Sequence, residues 1–283
     1  MFLPRLFSSV LILAVFFSIV LIKGALGLTI FIIVGIFLSI FAARELSLIF
    51  CKFGLSKFAY ANEVFAAFVF AIFIFNGIYE PDIGTGIFVL VIFIIVLWVK
   101  ILLSINKKEE ILKAINLASV FVILIIPMNF ITLIFMQDYG LHYLGVNLVV
   151  FLILVTKFGD IGAYTIGTLT SKIKNGNHKI IPSISPKKSW EGTIGGLITS
   201  IVVSVIMCRL YQIPMVTAIV LGAGLFIGGF IGDLAESSLK RCAEIKDSGN
   251  AIPGIGGVLD LVDSLLINAP LFYVLLLYFG IIV

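Results

Sequence analysis

Hydrophobic residues in this chain run in long unbroken stretches divided by short polar breaks. A hydrocarbon core about 30 Å thick takes about 20 apolar residues to cross as a helix. Stretches of that order predict membrane helices near 6–22, 25–43, 59–79, 83–105, 114–136, 143–166, 192–211, 215–237 and 260–282. Lys23-Gly24, the 44–57 stretch, Glu80-Pro81-Asp82, 107–110, 137–141, 167–191, Gln212-Ile213-Pro214 and 240–258 mark the breaks. The apolar runs are continuous rather than alternating, which counts against a β-barrel. No internal repeat or low-complexity segment is evident. The expected fold class is therefore all-α, a polytopic integral membrane protein of about nine transmembrane helices. Residues 1–140 are expected to form an N-terminal set of transmembrane helices, a scaffold and a candidate site of dimerisation, and residues 141–283 a C-terminal set with loops 167–191 and 240–258, where the candidate chemistry falls.

Composition sharpens this picture. Of the 283 residues 61% are hydrophobic and only 12% charged, whereas a soluble domain has about 25% charged residues. Arg5 ahead of an apolar run superficially resembles a signal peptide, but eight further spans favour an uncleaved first helix. Cys51, Cys208 and Cys242 have neither metal-ligand nor redox spacing and read as packing residues.

The net charge of +4 says less than its distribution. With nine spans, the N-terminus shares a side with every second loop. That side holds Arg5, Arg44, Lys52, Lys57, Lys100, Lys107, Lys108, Lys113, Lys172, Lys174, Lys179, Lys187, Lys188, Lys240, Arg241 and Lys246, sixteen of the 19 basic residues. Lys23 and Arg209 fall opposite, and Lys157 lies inside the sixth helix. The positive-inside rule then puts the N-terminus in the cytoplasm and the C-terminus outside. By the same parity Asp160, Asp233, Glu236, Asp260 and Asp263 gather at the cytoplasmic ends of helices six, eight and nine.

Those acids carry the chemistry. Asp233 and Lys240, seven residues apart, lie nearly above one another on a helix, and Asp260 and Asp263 share a face at a spacing of three. Two close carboxylates in a partly dry site do not both ionise cheaply unless a cation joins them. Oxygen ligands of this kind suit Mg²⁺, which keeps waters and completes its shell with substrate phosphates. Gly254, Gly256 and Gly257 leave backbone amides open to an anion, and Lys240, Arg241 and Lys246 supply positive charge. The bland alternative, helix-end salt bridges, suits Glu244 and Lys246 better than Asp260 and Asp263. A charge at membrane depth costs about 2.5–3.5 kcal/mol on insertion scales, so acids held there serve a purpose.

The sixth loop holds a second cluster. Lys179, Lys187 and Lys188 beside Ser185 and Ser189 form a candidate triphosphate cradle, and Trp190 is placed to stack on a base or to anchor at the interface. A positive-inside loop that merely orients the chain explains the same residues equally well. His178 reads as a plain loop residue. Within helix three, Glu63 and Asn76 read as packing residues.

The run from Ser238 to Asp263 resembles the signature of phosphatidate cytidylyltransferases (CDP-diacylglycerol synthases) without a gap. Ser185-Pro186-Lys187-Lys188-Ser189-Trp190-Glu191-Gly192 and Asp160-Ile161-Gly162-Ala163-Tyr164 resemble the other two family blocks, in the right order. The likeness covers about 157–264, and the first five helices match in hydropathy and number alone. It departs at Ile255, where the family has His, and at Leu261, where it has Arg.

The resemblance implies an enzyme of the cytoplasmic (inner) membrane that joins CTP to phosphatidate, giving CDP-diacylglycerol and pyrophosphate. The substrate's own phosphate is then the nucleophile, and the protein positions groups and neutralises charge. Asp233, Asp260 and Asp263 would hold one or two Mg²⁺ ions, with a monovalent ion as a further candidate, and Lys240 would join them in catalysis. Substrate contacts would come from Lys157, Asp160, Lys179, Ser185, Lys187, Lys188, Trp190, Glu191, Ser238, Arg241, Lys246, Asp247, Gly256 and Gly257. Membrane lipid surrounds such a protein, no nucleic acid is implied, and family analogy implies a homodimer. Two rivals stand beside this reading: another CTP-using lipid enzyme acting on an isoprenoid or ether lipid, and a transporter, since buried carboxylates and broken helices also mark those.

Overall fold

The computed structural model describes residues 2–22, 24–57, 60–79, 83–104, 107–137, 144–173, 177–254 and 256–282. The side chains of residues 2–6, 9, 76–79, 83, 85 and 86 are not included. Lys23, Glu80-Pro81-Asp82, 138–141, Lys174 and Ile255 thus lie outside the described residues, as do the side chains of Arg5 and Asn76. Among the described residues the chain is helical, with two isolated β-bridges and no strand.

The helices are α1 (Phe2–Leu21), α2 (Ala25–Lys52), α3 (Ala61–Tyr79), α4 (Ile83–Leu103), α5 (Lys108–Val120), α6 (Ile126–Phe135), α7 (Leu144–Thr170), α8 (Trp190–Leu210), α9 (Met215–Cys242) and α10 (Leu259–Tyr278). A π-helical turn, Phe121–Ile125, joins α5 to α6. Pro127 explains it. Proline lacks the N–H that would close the preceding α-turn, and its ring crowds the carbonyl four residues back, so a widened turn absorbs the misfit. The three pieces form one 28-residue apolar rod, Lys108–Phe135. Six rods among the described residues are long and apolar enough to cross a membrane: this one, α2, α7, α8, α9 and α10.

Several helices outrun their apolar stretches, and this corrects the expected boundaries. Helix α2 continues to Lys52 rather than ending at 43, so Arg44, Glu45 and Lys52 are helical residues, not loop residues. At 1.5 Å per residue its 28 residues span about 42 Å, more than the hydrocarbon core. Helix α7 likewise runs on to Thr170, where Thr165 and Thr170 hydroxyls bond back to carbonyls three or four residues earlier. Asp160 consequently lies ten residues inside the helix instead of at its end.

The chain divides into two compact units. The first holds residues 1–146 and 242–262, so the loop that leads into α10 belongs with the N-terminal helices. Phe31 stacks on Phe135 at 3.7 Å, and Phe93 on Phe121 at 3.9 Å. Gly35 meets the Phe70 ring so closely that any Cβ would collide with it. A buried polar knot ties α2, α3 and α5: Ser47 Oγ and Asn62 Nδ2 both donate to Asn116 Oδ1 at 2.9 Å, and Asn116 Nδ2 returns a bond to the Ser47 carbonyl. In a segment that offers no water, such polar groups satisfy one another. Lys57 pairs with Glu63 at 2.6 Å, which accounts for an acid in α3.

The second unit holds residues 147–241 and 263–283. Small residues let its helices approach closely, as membrane interfaces favour. A Cβ on Gly196 would strike Phe226 and the Gly159 carbonyl, and one on Gly222 the backbone of α8. Hydroxyls seal the contacts: Ser200 donates to the Val155 carbonyl and Ser204 to the Ala218 carbonyl. Asn268 of α10 donates to Thr156 Oγ1 of α7 at 2.8 Å.

Candidate active site

In the second unit the close packing of α7, α8, α9 and α10 brings charged side chains together. Lys157 and Asp160 project from one face of α7, three residues apart, with Nζ and Oδ2 3.6 Å apart. Lys157 also donates to Ser264 Oγ of α10 at 3.1 Å. Lys188, just before α8, pairs with Asp233 Oδ2 of α9 at 2.9 Å and lies 4.4 Å from the centre of the Phe230 ring. Ser237, one turn on, donates to Asp233 Oδ1. Asp263 accepts from the Ser264 backbone amide, which orients its carboxylate. Asp263 and Asp233 lie within mutual electrostatic range, as do Asp160 and Asp233, and Lys157 acts on both Asp160 and Asp263. Three acids and two lysines thus share one partly screened locus. Further along α9, half-buried Lys240 pairs with buried Glu236.

The segment before α8 is a short closed loop. Lys179 and Ser189 form an antiparallel bridge, and the Trp190 amide donates to the His178 carbonyl at 2.9 Å. Ser189 caps α8 by accepting from Gly192 N at 3.2 Å, a favoured N-terminal role for serine. Glu191 accepts from the His178 backbone amide, and its Oε1 lies 2.6 Å from His178 Nδ1. His178, read as a plain loop residue, is therefore half of the latch that closes the loop. Lys179, Lys187 and Trp190 are exposed around it and Ser185 half-buried. Ser185 closes a turn through its carbonyl to the Lys188 amide. Arg241 reaches the Ile184 carbonyl at 3.5 Å, and Ser238 is half-buried.

In the first unit the loop leading to α10 is rigidly built. Ile252 and Gly256 exchange both backbone hydrogen bonds around Pro253-Gly254, and Gly254 and Gly256 take positive φ (77° and 129°) that glycine alone adopts without strain. Asp260 Oδ2 accepts three bonds, from Ser248 N, Ser248 Oγ and Gly257 N. The amides of Gly257 and Ser248 are thus committed to Asp260 in this structure rather than open to an anion. Lys246 and Asp247 are exposed.

Glu45 was not foreseen. It lies in α2, 5% exposed, and accepts from Val258 N, Leu259 N and Ser248 Oγ at 2.8–3.1 Å. A signal existed: an acid inside an otherwise apolar helix. Placing the helix end at 43 moved that acid into a loop and hid it.

Among the described residues no three His, Cys, Asp or Glu side chains are gathered as a metal ion's ligand set. The second unit still fits a hard divalent cation that keeps most of its waters. Its donors are carboxylate oxygens without sulfur or imidazole, and they repel one another across an incompletely neutralised locus.

Several known proteins resemble this chain. The uncharacterized protein YnbB of Escherichia coli (strain K12) is 42% identical over 136 residues, 47% of this chain and 44% of that protein. The phosphatidate cytidylyltransferase of Staphylococcus haemolyticus (strain JCSC1435) is 39% identical over 150 residues, 50% of this chain and 54% of the other. That of Staphylococcus aureus (strain COL) is 40% identical over 140 residues, 49% and 50% of the two chains. The chain spans about half the length of the curated relatives it matches. The model of the cytidylyltransferase family matches residues 4–279, nearly the whole sequence and both units with their charged clusters, and the chain belongs to that family.

Proposed function

We propose that the protein transfers the cytidylyl group of CTP to phosphatidate, forming CDP-diacylglycerol and releasing pyrophosphate. The observation that carries this reading is the locus of Lys157, Asp160, Lys188, Asp233 and Asp263 on packed apolar helices, which suits phosphate chemistry at a lipid boundary. The names of the staphylococcal relatives supply the substrates. A phosphate oxygen of phosphatidate attacks the α-phosphorus of CTP, a P–O bond forms, the bond to the β-phosphate oxygen breaks, and pyrophosphate leaves with the electron pair.

The chain's part is to bind, orient and neutralise. Lys188 would exchange part of its contact with Asp233 for a CTP phosphate, and Lys157, held by Ser264 and Asp160, would meet a second phosphate charge. Asp233 and Asp263 would hold Mg²⁺, and the family resemblance adds Asp260, three residues before Asp263 in the sequence, as a further ligand; Lys240, paired with Glu236 on α9, would balance charge. Mg²⁺, when bound, neutralises the α-phosphate and the leaving pyrophosphate. Lys179, Lys187 and Trp190, exposed on the loop closed by His178 and Glu191, would meet the nucleotide from water. We place the N-terminus and this site on the cytoplasmic side, in a protein of nine spans in the inner membrane, because in that arrangement sixteen of the 19 basic residues share the side of the N-terminus and positive charge is retained in the cytoplasm. A homodimer belongs to the same reading.

The test is turnover of purified protein in detergent with phosphatidate, labelled CTP and Mg²⁺. Label in CDP-diacylglycerol that vanishes with EDTA is the expected result. Label passing instead into an isoprenoid or ether lipid would replace the acceptor, and no label from folded protein with any lipid would overturn the reaction.

A further inference from the structure

Glu45 sits in the N-terminal helices, which carry none of the motifs, yet it grips the start of α10. Three successive amides precede and open that helix. Gly257 N goes to Asp260, while Val258 N and Leu259 N go to Glu45. The first N–H groups of a helix have no partner within it, and a carboxylate there satisfies them and complements the helix dipole. Glu45 thus caps α10 from a different helix.

The connection then reaches Asp260 directly. Ser248 Oγ lies 3.1 Å from Glu45 Oε2 and 2.9 Å from Asp260 Oδ2, so the two carboxylates share its single hydroxyl proton. No side chain larger than hydrogen fits around the grip. A Cβ on Gly249 or Gly257 would strike the Glu45 carboxylate, and one on Gly257 would also strike Ser248 Oγ. Glycine at two flanking positions, a serine shared by two acids and an acid buried in an apolar helix agree on one arrangement.

We infer that Glu45 is a positioning residue: by capping α10 and sharing the Ser248 hydroxyl, it sets the orientation of Asp260 for a divalent cation and the phosphates it carries. This rests on the proposed reading of Asp260 as a metal ligand. Partners that orient a ligand's carboxylate typically govern metal affinity about 10–100-fold. A bury-and-pack role alone would leave that affinity untouched.

The experiment compares wild type, Glu45→Gln and Ser248→Ala as full-length proteins in detergent, with two readouts other than turnover. Hydrogen exchange of the 257–260 amides in metal-free protein reports the cap. Titration with Mn²⁺, followed by paramagnetic resonance, reports the cation site. Expected for Glu45→Gln is faster exchange at Val258 and Leu259 and a Mn²⁺ affinity lowered about tenfold or more. Ser248→Ala, which keeps both Glu45–amide bonds, should lower Mn²⁺ affinity while leaving Val258 and Leu259 protected. Unchanged exchange in Glu45→Gln, or faster exchange with unchanged Mn²⁺ affinity, would overturn the inference. Should wild type bind Mn²⁺ and lose it in the variants yet transfer no cytidylyl group, the reaction falls and the positioning role stands.

Discussion

At the level of single residues, the locus in the second unit makes sharp demands. Asp263 has its carboxylate fixed by the following amide and sits among charges of both signs. Asp263→Ala should lower kcat by about 100-fold or more, as loss of one group acting on transition-state charge does, while size-exclusion profile and melting temperature stay near wild type. Retention of more than a tenth of the activity would remove Asp263 from the chemistry. Lys188 makes a different prediction. Its ammonium already faces Asp233 and the Phe230 ring, so a phosphate would gain a charge-assisted bond worth about 1.5–3 kcal/mol. Lys188→Met should therefore weaken CTP binding about 10–100-fold, read as KM for CTP, with KM for phosphatidate little changed. Equal rises in both would make Lys188 a structural residue. The acids Asp233 and Asp263 and the lysine Lys188 were legible because the polar breaks and motif runs that hold them stand out from the apolar sequence, and Lys157 and Asp160 because charge inside an apolar helix does. Their partners were not: that Lys188 meets Asp233, or that Ser264 steadies Lys157, depends on helix rotation, which hydropathy does not report.

At the level of elements, hydropathy located the rods and misplaced their ends. Apolar length reports where lipid contact stops, whereas helicity continues as long as backbone bonds and hydroxyl back-bonding persist, as in α7 beyond Gly167. The cost of that confusion was Glu45, assigned to a loop and so never weighed. The glycines of α8 and α9 were visible in the sequence as good membrane-helix residues, but only the packed helices show that Gly196 admits Phe226. Within the first unit, the knot on Asn116 joins three helices through three buried bonds. Asn116→Ala leaves Ser47 Oγ and Asn62 Nδ2 without that acceptor in a dry interior. It should lower stability by about 1–2 kcal/mol, near the upper range for bonds between membrane helices. The readout is the midpoint of thermal unfolding in detergent, with activity per folded molecule unchanged. A midpoint equal to wild type would mean that water or a neighbour replaces the knot.

At the level of the whole molecule, the strongest claim drawn from the sequence is sidedness, and α9 offers a direct way to check it. The helix runs from Met215 to Cys242, 28 residues and about 42 Å, so residues at its two ends face opposite sides of a 30 Å hydrocarbon layer if it spans. Cys242 is exposed at its end, and Tyr211 is exposed in the turn before its start. The basic residues Lys240 and Arg241 flank Cys242, while Arg209 alone flanks Tyr211. Positive charge is retained on the cytoplasmic side. With Cys51 and Cys208 replaced by serine, Cys242 should react with a membrane-impermeant maleimide in inside-out vesicles and stay unlabelled in intact cells. Tyr211→Cys, in a chain also carrying Cys242→Ser, should show the reverse pattern. Labelling of both positions from the same side would mean that α9 does not span. Full reversal would turn the locus of Asp233 and Lys188 away from the cytoplasm, where CTP is found, and the proposed reaction would lose its nucleotide supply. The sidedness experiment therefore bears on the chemistry as much as on the topology.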